Sequence, residues 1–187
     1  MNTTKTVRFA KIGYVLISAA FCAVGIFLMF YRKVSAAALT NVCGGLFLVC
    51  GAIKLTGYFS KDMYQLAFQF DFAMGLFVAV IGLLMLIKEG GSPRHFEQLF
   101  GILMLADGLL KMQTAVDAKR FGIRPWWLIG GLAMLASALG VLLIFYPAVR
   151  EEGTTIAAGG AFILDGALNL SVAICALKSF GKGRKNK

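Results

Sequence analysis

Apolar residues fall into six long stretches separated by short polar segments. The stretches run approximately over residues 12–31, 34–58, 66–87, 96–116, 126–146 and 154–177. A helix needs about 20 residues to cross a hydrocarbon core of about 30 Å, and each stretch reaches roughly that length. The pattern therefore predicts six transmembrane helices and leaves almost no chain for an extramembrane domain.

The six stretches form a repeat, because two sets of glycines recur at the same intervals of 57 and 58 residues. The sets are Gly25, Gly82 and Gly140, and Gly51, Gly108 and Gly166. Two landmarks that share one period indicate an internal repeat. We predict an all-α, polytopic membrane protein of three tandem two-helix hairpins, over 11–60, 66–117 and 125–178. Successive hairpins enter the membrane in the same direction, so the prediction includes a pseudo-threefold axis along the membrane normal.

Composition and charge agree with a single integral membrane domain over residues 1–187. The chain is 59% hydrophobic and only 15% charged. If the N-terminus, the second and fourth loops and the C-terminus share one side, and Lys54 and Lys111 are counted with the loops they adjoin, that side holds 14 of the 19 Lys and Arg residues. The positive-inside rule then predicts cytoplasmic N- and C-termini in a cell inner membrane.

The net charge of +10 is explained by this topology, and no nucleic-acid partner is expected because no nucleic-acid-binding motif is present. The basic segment 179–187 is predicted to be a cytoplasmic tail that contacts anionic lipid headgroups. Lys5, Arg8 and Lys11 precede the first apolar stretch as they would in a signal peptide. That stretch is too long for a usual signal peptide, and we expect it to be retained.

Glycines seven residues apart recur within the predicted helices. Two helical turns separate the members of each pair, so both lie on one stripe where a neighbouring backbone can approach closely. The predicted packing glycines are Gly44, Gly51, Gly75, Gly82, Gly101, Gly108, Gly159 and Gly166.

Polar residues inside the predicted spans carry the functional signal. Cys50, Asp107 and Asp165 stand at equivalent repeat positions, and Lys54, Lys111 and Asn169 follow each of them by four residues. If the even-numbered helices meet near the axis, these groups converge with Asp71, which lies at a similar depth. An ionisable group in a membrane costs on the order of 3 kcal/mol on insertion scales, and marks a candidate functional site. Two interpretations stay open: ionic contacts that hold the helices together, or a proton- or solute-linked site.

Enzyme chemistry has little support in the sequence, and we predict a protein that is not an enzyme and needs no cofactor or metal. The chain has one histidine, and no nucleotide-binding, zinc-protease or serine-hydrolase motif. Four cysteines within the predicted spans indicate no disulfide framework. His95 and Glu97, with Glu89 and Glu151 on the same side, are predicted to lie in solvated external segments and to titrate ordinarily.

The three-hairpin period and the glycine-led apolar segments resemble the HdeD-like acid-resistance membrane proteins. The resemblance also includes a [Cys/Asp]-Gly-x-x-[Lys/Asn] pattern near each second helix, and extends from about Lys11 to Leu177. These relatives are small bacterial inner-membrane proteins built from a short repeat. The resemblance implies a link to survival of acid stress, without assigning a role to any single residue.

Three functional hypotheses follow. The first is an acid- or envelope-stress protein that acts within the membrane by binding lipid, a second copy of itself or another membrane protein. The second is a small proton- or solute-conducting transporter or channel with the buried acids along its path. The third is a scaffold subunit of a larger membrane complex.

Overall fold

The computed structural model describes the backbone of residues 3–31, 34–59, 71–87, 92–120, 122, 126–148 and 151–183. These residues form six α-helices. They are α1 (Thr3–Phe30), α2 (Ala36–Phe59), α3 (Asp71–Ile87), α4 (Pro93–Arg120), α5 (Trp126–Phe145) and α6 (Glu151–Gly183). The all-α prediction is therefore confirmed for the part of the chain that the structure describes.

Four helical segments are long and apolar enough to cross a membrane. They are Ala36–Thr56, Pro93–Arg120, Trp126–Phe145 and Glu152–Ala173. Two shorter apolar segments, Val15–Phe30 and Phe72–Ile87, belong to α1 and α3. The start of the predicted third span, residues 66–70, lies outside the described residues.

Local sequence signals explain where several helices start and end. The hydroxyl of Ser35 accepts a hydrogen bond from the backbone N–H of Ala38 at 3.3 Å, which is the usual arrangement of a serine N-cap. Pro93 occupies the first position of α4, where a missing N–H costs nothing. Because α4 starts there, it includes His95, which lies before the fourth predicted stretch of residues 96–116. Helix α6 extends through Gly183, into the segment predicted as a tail.

The helices pack most extensively in pairs that the sequence did not predict. The three closest pairs are α2 with α3, α4 with α5, and α6 with α1. The helices of each predicted hairpin (α1 with α2, α3 with α4, and α5 with α6) contact each other far less. The closely packed pair is therefore an even-numbered helix with the next odd-numbered one, and the last helix closes on the first.

Glycine stripes explain this choice of partner. A Cβ built on Gly82 of α3 would lie 2.8 Å from the carbonyl oxygen of Gly44 on α2, closer than real Cβ atoms come. Gly140 of α5 meets the carbonyl oxygen of Gly101 on α4 in the same way, also at 2.8 Å. Without side chains at these positions, the two backbones are in direct contact.

The same contact recurs in the third pair and at the other end of each pair. The further contacts, as distances from a Cβ built on the first residue to the carbonyl oxygen of the second, are Gly25 to Gly159 (2.6 Å), Gly51 to Gly75 (2.7 Å), Gly108 to Ala133 (2.9 Å) and Gly166 to Ser18 (2.8 Å). Each pair is thus in backbone contact at two levels, two helical turns apart.

The even-numbered helices α2, α4 and α6 meet one another at the centre. Phe47, Phe100 and Phe162 contribute one ring from each of these helices. Their ring centroids are 5.5 Å apart for Phe47–Phe100, 5.9 Å for Phe47–Phe162 and 4.8 Å for Phe100–Phe162. Among the described residues, α1, α3 and α5 do not contact each other. These three helices lie outside the central three, and their outward faces are rich in exposed apolar side chains.

The glycine contacts predict a position-specific loss of stability. In Gly140→Ala the new methyl group would lie 2.7 Å from the backbone nitrogen of Leu105, and the backbone cannot move aside as a side chain can. We expect a loss of about 1–3 kcal/mol, as for other overpacked sites, measured by thermal or denaturant unfolding in detergent. Gly131→Ala on the same helix is the matched control, because a Cβ there meets nothing within 4 Å. Equal stability of the two variants would contradict the proposed backbone contact.

Candidate functional site

Charged side chains from all three central helices meet in the interior of the bundle. Asp107 and Lys111 lie four residues apart on α4, Asp165 and Asn169 lie four apart on α6, and Lys54 comes from α2. All five side chains are buried, with 3–7% of their residue surface exposed. We call these five residues the central charged cluster.

Lys111 is at the centre of this cluster. Its ammonium group is in direct contact with the carboxylate of Asp107 one turn away on the same helix. It also lies 3.5 Å from Oδ1 of Asp165 and donates to Oδ1 of Asn169 at 2.8 Å. The three ammonium hydrogens thus face three oxygen-bearing side chains on two helices.

The remaining groups complete the network. The ammonium of Lys54 lies 3.8 Å from Oδ1 of Asp107, so this carboxylate faces a lysine from each of two helices. The amide nitrogen of Asn169 donates to the backbone carbonyl oxygen of Asp165 at 2.9 Å, which turns the amide oxygen towards Lys111. With both lysines and both aspartates ionised, the formal charge of the cluster is zero. Neutrality and hydrogen bonding together offset part of the cost of burying four charges.

Backbone packing orients the two acids. Gly108 and Gly166 directly follow Asp107 and Asp165, and they are the residues that contact α5 and α1 closely. Because neighbouring residues on a helix point about 100° apart, a glycine against the outer helix directs the preceding acid towards the interior. Cys50 occupies the corresponding position on α2, and this residue is 3% exposed and lies beside the cluster. The first repeat thus contributes a thiol where the other two contribute carboxylates.

Of the candidate residues taken from the sequence, five lie together in the central charged cluster. The sixth, Asp71, begins α3, and its side chain lies outside the described residues. In the described part of the chain, no group of three or more His, Cys, Asp or Glu residues is placed to hold a metal ion.

One buried acid was assigned wrongly from the sequence. Glu97 was predicted to lie in a solvated segment, yet its residue is 1% exposed and faces into the bundle. Its Oε2 accepts a hydrogen bond from the backbone N–H of Ala148 at 2.6 Å. Its Oε1 has no hydrogen-bond partner among the described residues. The missed signal was the alternating spacing of three and four residues that leads from Asp107 through Met104 and Phe100 to Glu97.

Apolar helices of membrane length, packed through glycine contacts, indicate an integral membrane protein. The short repeat of unknown function (DUF308) matches residues 16–87 and 95–139, more than half of the chain. The protein therefore belongs to the DUF308 family. No curated protein and no solved structure matches the chain.

The network predicts an asymmetric response to charge removal. Lys111→Met leaves two buried carboxylates with Lys54 as their neighbouring cation, and we expect it to lower the free energy of unfolding by about 3–5 kcal/mol. Adding Asp165→Asn restores neutrality, because Lys54 and Asp107 remain, and should recover much of that loss. Denaturant unfolding in detergent measures both effects.

Lys119→Met on the same helix is the control, since Lys119 is exposed and lies over the ring of Trp126 at 4.7 Å from its centroid. Loss of this surface contact should cost about 1 kcal/mol or less. A Lys111→Met variant as stable as Lys119→Met would show that the cluster does not depend on its cation.

Proposed function

We propose that this protein crosses the cytoplasmic membrane six times and acts in acid or envelope stress. Membership of the DUF308 family supports a membrane protein built from this repeat. The stress role is supported by the resemblance of residues 11–177 to the HdeD-like proteins. The excess of Lys and Arg on one side supports cytoplasmic N- and C-termini. In this topology the central charged cluster lies in the cytoplasmic half of the membrane, and α1 and α3 also cross the bilayer.

The pairing of the helices supports a pseudo-threefold arrangement within this proposal. Close glycine contacts recur in three helix pairs at intervals of 57 and 58 residues. The central helices carry equivalent positions at this level, with Asp107 and Asp165 in the central charged cluster and Cys50 beside it. An axis between α2, α4 and α6 would therefore run through the cluster along the membrane normal.

The mechanism that the geometry supports best is proton conduction along this axis, and the observation behind it is the central charged cluster. Carboxylates are groups that can take up and release protons, and intramembrane acids often line proton pathways. Here two carboxylates contact one ammonium group, so protonation of either acid changes the net charge of the cluster from zero to +1. A relay group in a proton path must take up and release a proton in this way.

Action through lipid or protein partners is the second candidate. The outer helices present large apolar side chains on their outward faces, including Phe27 (56% exposed), Met134 (64%) and Leu135 (59%). Such a surface suits lipid, a second copy of the chain or another membrane protein. In this candidate the cluster fixes the helix arrangement and no proton crosses the membrane. Neither candidate requires the protein to catalyse a reaction.

Proton flux in liposomes tests conduction directly. Purified protein is reconstituted with a trapped pH dye, a pH gradient is imposed, and potassium with valinomycin compensates the moved charge. We expect flux above empty liposomes for the wild type, and loss of it in Asp107→Asn, Asp165→Asn, because an amide cannot take up the proton. Asp117→Asn on α4 is the control, since this acid lies outside the cluster and faces Arg120 at 3.8 Å.

The double variant leaves two buried lysines without neighbouring acids, and this excess charge could itself disturb the bundle. A variant in which the cluster carries no charge is therefore measured beside it. Adding Lys54→Met and Lys111→Met removes both positive charges, and this quadruple variant should also fail to conduct. Thermal unfolding and gel filtration establish that each variant is folded. Unchanged flux in folded cluster variants would rule out conduction through these acids.

A survival assay tests the role in stress separately. Cells that lack the gene should form fewer colonies after acid exposure, and the wild-type gene should restore survival. If conduction through the cluster is the mechanism, the gene with Asp107→Asn and Asp165→Asn should not restore it, although the protein reaches the membrane. Equal survival of deletion and wild-type cells would count against an acid-stress role.

A further inference from the structure

The central helices share one buried seam that continues beyond the charged cluster. On α4 the seam consists of Glu97, Phe100, Met104, Asp107 and Lys111, spaced by three, four, three and four residues. All five are buried, as are the corresponding residues of α2 and α6. Such alternation keeps side chains on the helix face that meets the partner helices. The seam therefore runs along the bundle from the beginning of α4 to the charged cluster.

Aromatic rings lie next to the charged cluster along this seam. Phe47 and Phe162 lie three residues before Cys50 and Asp165, so their rings are about one turn from the cluster. Phe100 lies one further turn away and contacts both of them. Each of these three phenylalanine residues is at most 1% exposed. We call Phe47, Phe100 and Phe162 the aromatic cluster; it contributes one ring from each central helix.

A second polar layer lies on the far side of the aromatic cluster. Glu97 is there, with Thr40 and Thr155 buried at the corresponding positions of α2 and α6. Ten residues separate Glu97 from Asp107, which is a rise of about 15 Å along a helix. A buried acid, one of whose oxygens has no hydrogen-bond partner among the described residues, thus lies across the aromatic cluster from the charged cluster.

Within the proposed function of proton conduction, on which this inference rests, we propose that the aromatic cluster is an apolar gate between two acidic proton sites. Glu97 is the site on the external side, and the central charged cluster is the site on the cytoplasmic side. A proton moves along a continuous chain of water molecules and polar groups, and three packed rings leave no such chain. Apolar constrictions of this kind gate by excluding water. The path conducts when the rings separate enough for water to enter. The proton is then transferred through this water from the carboxyl group of one site to a carboxylate of the other.

The liposome assay tests the gate with one added set of variants. Phe100→Ala removes the ring that contacts both others, and should raise proton flux about tenfold, as expected when a barrier falls by about 1.4 kcal/mol. Phe100→Leu keeps more of the packing and should give a smaller rise. Phe145→Ala on α5 is the matched control, because that ring is 72% exposed on the outer surface and should leave flux unchanged.

Glu97→Gln tests the external site in the same assay. Combined with Phe100→Ala it should abolish the added flux, because the amide cannot take up the proton. The conservative Phe100→Leu variant keeps the test valid if Phe100→Ala does not fold. Flux that rises in the Phe100 variants and falls again with Glu97→Gln supports the gate.

Two other results overturn it, and they are distinguishable from each other. If wild-type flux depends on Asp107 and Asp165 but is unchanged in folded Phe100 variants, conduction stands and the gate is wrong. If neither the wild type nor any folded Phe100 variant conducts, the conduction proposal fails and the gate fails with it.

Discussion

Direct backbone contact between an even-numbered helix and the next odd-numbered one is the constraint on which the rest of the structure depends. In lipid, apolar side chains gain little from leaving the solvent, so helices associate through close packing and polar contacts. Gly44 with Gly82 and Gly101 with Gly140 provide that packing, because each pair brings carbonyl oxygens against backbone that carries no side chain. Three such pairs turn the apolar faces of α1, α3 and α5 outwards and bring α2, α4 and α6 together.

The central charged cluster is a consequence of that arrangement. Lys54, Lys111, Asp107 and Asp165 come from three helices, and each charge would be costly alone in an apolar bundle. Brought together, they balance in number: Lys111 pairs with both acids, and Lys54 pairs with Asp107. Glycines directly after both acids are the contacts with the outer helices, so the same residues that pair the helices also turn the acids inwards. Packing and site geometry are therefore coupled in this protein.

The seam of α2, α4 and α6 alternates polar and apolar layers across the bundle. The charged cluster lies at one level, the aromatic cluster at the next, and the buried carboxyl of Glu97 beyond it. Ordinary core packing accounts for the aromatic contacts, since rings at 4.8–5.9 Å favour each other in any apolar interior. Core packing does not explain why an acid is buried on the far side of those rings with one oxygen that no described residue hydrogen-bonds. In the proposed mechanism, that residue is the external proton site.

The sequence by itself determined the helical class, the approximate helix positions and the residues of the charged cluster. The length of each apolar stretch and the spacing of the repeated glycines can both be read directly from the sequence. Acid and base four residues apart, as in Asp107 and Lys111, share a helix face whatever the fold. Only the tertiary structure decided which helices pair, because the glycine stripes of any two helices are compatible in sequence. It also decided that Glu97 is buried and accepts a hydrogen bond from the backbone of Ala148, which is 51 residues away in the chain.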